Sequence, residues 1–92
     1  MTDKSPEIRK LAREKKIIFT KHALERIHQY DLTTMQVREM LKQGSVNKAK
    51  GDEKGYRVEG KAPASDNTGY IHLSAHVAII DKLLVITVIK PN

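Results

Sequence analysis

A chain of 92 residues that is 39% apolar, with one Phe and no Trp, makes a single domain with a small, mainly aliphatic core. The absence of Cys excludes a disulfide framework and a thiolate metal site and suits a reducing compartment. Seventeen Lys and Arg against eleven Asp and Glu leave a net charge of +6, which points to a polyanionic partner, either nucleic acid or an acidic protein. No apolar run reaches the length of a membrane span and the polar N-terminus does not read as a signal peptide, so a cytoplasmic location is expected.

Residues 1–4 carry no pattern. Ser5-Pro6-Glu7 is a helix start, with Ser5 as N-cap and Pro6 at the first helical position. Ile8, Leu11 and Ala12 form its apolar stripe, and Lys15-Lys16 stand near its negative end. Ile17-Ile18-Phe19 is too short and too β-prone to extend that helix, and reads as a brief strand or extended link. Thr20 caps a second helix over 21–30. Ala23, Ile27 and Tyr30 cluster on one side of it, with Leu24 adjoining, and His22, Arg26 and Gln29 on the other. After the break at Asp31-Leu32-Thr33, Thr33 or Thr34 caps a third helix to about Gln43. Val37, Met40 and Leu41 are its buried stripe, Arg38 and Lys42 point away, and Gly44 stops it.

From Ser45 the period changes to two. Residues 45–50 read as a weak edge strand and 51–55 as a turn. Residues 56–62 form the next strand, with Tyr56, Val58 and Gly60 on one face and Arg57, Glu59 and Lys61 on the other. Residues 63–69 are loop chemistry. A hairpin then closes the chain, from strands at 70–80 and 83–90 joined by a two-residue turn, Asp81-Lys82. That turn opposes Ile80 to Leu83, Ala78 to Val85 and His76 to Thr87. It puts Ile71, Leu73, Ala75, Val77, Ile79, Leu84, Ile86 and Val88 on the core face, leaving Tyr70, His72, Ser74, His76 and Thr87 on the other. The almost wholly apolar 83–89 run suits a strand buried on both faces. The expected fold is α+β: two or three N-terminal helices (about 5–43) on one face of a three- to four-stranded antiparallel sheet (about 45–90).

No glycine-rich phosphate loop, paired-carboxylate motif or nucleophile elbow is present. On a strand, the Cα atoms of His72 and His76 would be roughly 13 Å apart at about 3.3 Å per residue, too far to share an ion unaided. Neither a metal nor another cofactor is expected. Metal-free chemistry on a phosphate remains. His22 and Arg26, four residues apart on one helix face, make poor partners for each other and a good site for a phosphate, although a solvated helix face has the same pattern. RNA carries its own nucleophile, the 2′-hydroxyl. A protein cleaves it by positioning the phosphate, moving protons with a base such as histidine and stabilising charge with arginine or lysine.

Phe19-Thr20-Lys21-His22-Ala23-Leu24-Glu25-Arg26-Ile27, then Leu32-Thr33, Val37, Gly44, Tyr56-Arg57-Val58 with Gly60, and Val85-Ile86-Thr87-Val88 resemble a family of small bacterial domains of unknown function. That family is itself similar to the BrnT and RelE-like toxins. The resemblance spans about 17–91 and is carried by a T-x-H-A-x-x-R opening and a V-x-T-V closing strand. It implies the fold of RelE, barnase, EndoU and colicin-type ribonucleases, and a toxin that cleaves RNA, ribosome-associated mRNA included, until a cognate antitoxin blocks it. His22, Arg26, Arg57 and Thr87 are the catalytic positions it implies. Strand geometry adds His76, and also His72, which joins Lys21, Arg38, Lys61, Tyr56 and Tyr70 as candidates for holding RNA. Where such sequences often carry Arg-Gly before the third helix, this chain has Tyr30-Asp31. A non-catalytic nucleic-acid-binding module, and a protein-interaction or regulatory domain, are the alternatives.

Overall fold

The computed structural model describes residues 4–47, 55–64 and 68–90. The elements run α1 (Ser5–Arg13), β1 (Ile17–Phe19), α2 (Lys21–Gln29), α3 (Thr34–Gln43), β2 (Ser45–Val46), β3 (Tyr56–Pro63), β4 (Tyr70–Ile79) and β5 (Leu83–Ile89). The α+β class is as expected, but the sheet has five strands and is mixed. Its order is β1-β5-β4-β3-β2, and β1 runs parallel to β5. The helices are not one N-terminal block, because β1 separates α1 from α2. Parts of the expected 45–50 strand, 51–55 turn and 63–69 loop lie outside the described residues.

One face of the sheet holds the core. Leu73, Ala75 and Val77 of β4, Val58 and Ala62 of β3, and Leu83, Val85 and Val88 of β5 are buried there against Ile8, Ala12, Ala23, Ile27, Val37, Met40 and Leu41 of the helices. Leu83 and Val85 take the inward places expected of Leu84 and Ile86, because the hairpin differs from its expected form at two points. Its loop has three residues, Ile80-Asp81-Lys82, so Ile79 opposes Leu83 and Val77 opposes Val85. A tight two-residue turn needs positive φ at both central positions (type I′) or a glycine-like first one (type II′), and this stretch has no glycine to supply either. The longer loop asks it of Asp81 alone (φ +84°). A bulge between His76 and Val77 then inserts Ile86 and restores the expected His76–Thr87 pair, followed by Ala75–Val88. Without that extra residue Thr87 would point into the core. The outward face of β5 is only half-buried, so the strand is not enclosed on both sides.

The helix ends follow local rules, with informative departures. Thr33 caps α3 in a full capping box with Gln36. Ser5 is the first helical residue of α1, not its cap, and its hydroxyl accepts the Val46 N–H of edge strand β2 at 2.9 Å. Arg9 donates to the Gly44 carbonyl at 2.9 Å and to the Ser45 hydroxyl at 3.0 Å, tying α1 to the same edge. Gln36 and Gln43 donate to the Pro63 and Lys61 carbonyls of β3 at 3.0 and 2.6 Å. These contacts cover backbone groups that an open sheet edge would offer to another chain. Gly44 ends α3 with an ordinary extended backbone. Glycine is required there by close approach: a Cβ would lie 2.7 Å from Val58 Cγ1 and 2.9 Å from the Met40 carbonyl.

Candidate functional site

All three helices contribute to the core on one side of the sheet, and among the described residues no helix covers the other side. Cross-strand pairing arranges that side in rows. Ile18, Leu84 and Ala78 are partners across β1, β5 and β4. Thr87, His76 and Arg57 come next, across β5, β4 and β3. Ile89, Ser74 and Glu59 follow, then His72 with Lys61, then Tyr70 with Pro63. Three of the five expected catalytic residues therefore stand side by side in a single row.

Two features mark that row as built for more than packing. The Arg57 Nε is buried and has no hydrogen-bond partner among the described residues. A buried guanidinium N–H left unmet costs free energy that a bound anion would offset. The His76 ring lies against Gly55, where a Cβ would come within 2.7 Å of Nε2 and of the Val77 carbonyl, so only glycine leaves room for the imidazole. Arg57, His76 and Thr87 are each half-buried, accessible from one side.

The T-x-H-A-x-x-R stretch divides by task. Thr20 donates its N–H to the Val85 carbonyl at 3.1 Å and its hydroxyl to the Ile86 carbonyl at 2.8 Å, and its oxygen accepts the Ala23 N–H at 3.1 Å. One side chain thus caps α2 and grips the bulged residue of β5 immediately before Thr87. Ala23 is fully buried in the core. His22 is left exposed in the first turn of α2 and Arg26 half-buried one turn on. The start of α2 is therefore anchored at the edge of β5 where the Thr87 row begins. Val85-Ile86-Thr87-Val88 divides in the same way: both valines are buried, Ile86 is the bulge, and Thr87 faces outward.

The other expected RNA-holding residues separate. Lys61, Tyr70 and His72 share the outward face with the row, and Tyr70 is 70% exposed. Lys21 is exposed beside His22. Tyr56 pairs with Val77 and packs against the core, which takes it off this face. Arg38 belongs to the helix layer, its guanidinium 5.7 Å from the centre of the Phe19 ring. There it lines a shallow cavity of about 220 Å³ with Lys15, Met35 and Lys42. Among the described residues no three His, Asp or Glu side chains converge on a point suited to a metal.

A family model described as a domain of unknown function (DUF4258) matches residues 19–90. The chain belongs to that family. The matched segment begins at the last residue of β1 and takes in α2, α3 and the rest of the sheet, so the whole row and both motifs lie within the family domain, whereas α1 precedes it. Comparison with curated proteins and with solved structures gave no match. No helix among the described residues is long and apolar enough to cross a membrane.

Sequence reasoning missed a second feature of this face. β5 ends at Ile89, the partner of Ser74, so among the described residues the first residues of β4 run on with β3 alone beside them. The step leaves a cavity of about 460 Å³ at that strand edge, lined by Glu59, His72, Ser74 and Lys90 and, from core-side positions, by Gly60, Ile71 and Leu73. The alternation of β3 already put Glu59 on the Arg57 face. The early end of β5 was not legible from composition.

Proposed function

We propose that this domain is a metal-independent endoribonuclease, the RelE/BrnT-like toxin of a toxin–antitoxin pair acting in the cytoplasm. The observation that carries the reading is the Arg57–His76–Thr87 row on the face away from the helices, with a buried Arg57 N–H that has no partner among the described residues. The net charge of +6 and the anchoring of α2 beside Thr87 agree with it.

In this reading the scissile phosphate lies over the row. Arg57 holds a non-bridging oxygen and Thr87 donates its hydroxyl to another. One histidine, His76, takes the proton of the 2′-hydroxyl as that oxygen attacks phosphorus. The P–O5′ bond breaks, and the leaving 5′-oxygen takes a proton from His22, in the first turn of α2. The products are a 2′,3′-cyclic phosphate and a free 5′-hydroxyl, and Arg26 assists in holding the phosphate. The Ile18–Leu84–Ala78 row beside the site, with Ile18 41% exposed, favours a protein partner as well: an antitoxin covering it would also close the catalytic row.

The test is induced expression of the wild type, His76→Ala, His22→Ala and Arg57→Gln, following growth and total RNA. The wild type is expected to arrest growth and leave RNA with cyclic phosphate ends, and to cleave RNA as a purified protein in EDTA. The variants, confirmed folded by circular dichroism, are expected to lose at least a hundred-fold in cleavage. Intact RNA at full wild-type expression rejects the reading.

A further inference from the structure

We infer that the outward face of the sheet is a track for extended single-stranded RNA, running from the Arg57–His76–Thr87 row along β4 to Tyr70, with one base seated in the cavity at the end of β5. The inference rests on the ribonuclease reading for the chemistry at one end, and the remainder stands on geometry. Successive rows on one face of a strand are two residues apart, roughly 6.6 Å at about 3.3 Å per residue. That step is close to the reach of one extended nucleotide, and the side chains change character with each step. The first row offers Arg57, His76 and Thr87 to a phosphate. The second offers Glu59, beside the buried Ser74, at a cavity of about 460 Å³. Lys61 and His72 form the third, and the fourth presents Tyr70, 70% exposed.

Charge decides what each step takes. A carboxylate repels phosphate, so the Glu59 row is suited to a base, whose N–H groups the carboxylate accepts. Asn47 donates to Glu59 at 2.8 Å and holds that carboxylate in place. Lys90, on the cavity wall where β5 ends, and Lys61 beyond it meet the flanking phosphates. Tyr70 supplies a face on which the last base stacks. A duplex cannot follow this track, because its bases are paired and not free to enter the cavity or stack on Tyr70.

The experiment measures binding of 2′-fluoro oligonucleotides of two, four and six nucleotides, and of a duplex of the same sequence. These probes lack the 2′-nucleophile and stay intact. The tetramer is expected to bind at least ten-fold more tightly than the dimer, and the hexamer no more than two-fold more tightly than the tetramer. Tyr70→Ala is expected to lose roughly ten-fold for the tetramer, with Tyr70→Phe restoring it and dimer binding unchanged. Tyr70 is too exposed for its loss to unfold the chain, which circular dichroism checks. Equal affinity for dimer and hexamer, equal affinity for the duplex, or an unchanged Tyr70→Ala variant overturns the track. Cleavage of the unmodified tetramer, followed in parallel, separates the two ideas. Length- and Tyr70-dependent binding without cleavage keeps the track and rejects the nuclease, and cleavage without length dependence does the reverse.

Discussion

Thr20 shows how much a single hydroxyl can organise. Three hydrogen bonds converge on this residue, one satisfying the first turn of α2 and two holding consecutive carbonyls of β5 across a bulge. Because the Ile86 carbonyl falls outside the regular ladder, the Thr20 hydroxyl meets a group that would otherwise depend on solvent. Losing a cap costs about 1 kcal/mol and losing a part-buried hydrogen bond about 1 more. Thr20→Ala is therefore expected to destabilise the domain by about 2 kcal/mol in urea unfolding, while Thr20→Ser keeps most of the stability. Its neighbour His22 is exposed and meets no such demand, which is why a change there is expected to alter activity and leave folding alone. Sequence spacing identified Thr20 as a cap. Its second partner lies 66 residues away in the chain, and no local pattern could have named it.

Among the elements, α1 and α2 end in the same way, and both endings carry stored strain. Lys16 N–H reaches the Leu11 carbonyl at 2.9 Å and Leu32 N–H the Ile27 carbonyl at 2.8 Å, the bonds of a Schellman turn. In each the residue before is left-handed, Lys15 at φ +61° and Asp31 at φ +57°. Glycine adopts that backbone freely, a lysine resists it, and an aspartate tolerates it better. At Asp31 the backbone geometry itself therefore favours a glycine. Lys15→Gly is expected to stabilise the protein by about 0.5–1 kcal/mol and Asp31→Gly by less, read as a higher urea midpoint at unchanged slope. Apolar periodicity was enough to find all three helices and both long strands of the hairpin. It could not find the bulge, since inserting Ile86 leaves a run of aliphatic residues that reads equally well in either phase.

For the whole molecule, the asymmetry of the two sheet faces is the main consequence of folding. The side covered by helices carries the core, and the open side carries Arg57, Lys61, His72 and His76 in partner rows across β3 and β4. The phosphate contacts proposed for this face make affinity depend on salt. With Arg57, Lys61 and Lys90 each meeting one phosphate at roughly 0.7 per contact, log affinity for single-stranded RNA is expected to fall against log salt with a slope of about −2. Arg57→Gln is expected to flatten that slope by slightly under one, as a salt titration of oligonucleotide binding would show. A slope unchanged in Arg57→Gln would mean that Arg57 meets no phosphate.

By itself the sequence determined the α+β class and the helix starts at Thr20 and at Thr33 or Thr34; the His76–Thr87 pair, expected from a two-residue turn, is formed instead through a three-residue loop and a bulge. The class and the helix starts follow from local chemistry or from a period of two or 3.6 that survives without knowledge of neighbours. Folding decided what depends on distant parts of the chain. It brought β1 beside β5 in parallel and opposed Arg57 to His76 across β3 and β4. It also stopped β5 short of the end of β4, and sent Tyr56 and Arg38 to the helix side. The physical reason is that side-chain alternation says which residues share a face of one strand, whereas which strands become neighbours is settled by packing three helices over a single small core.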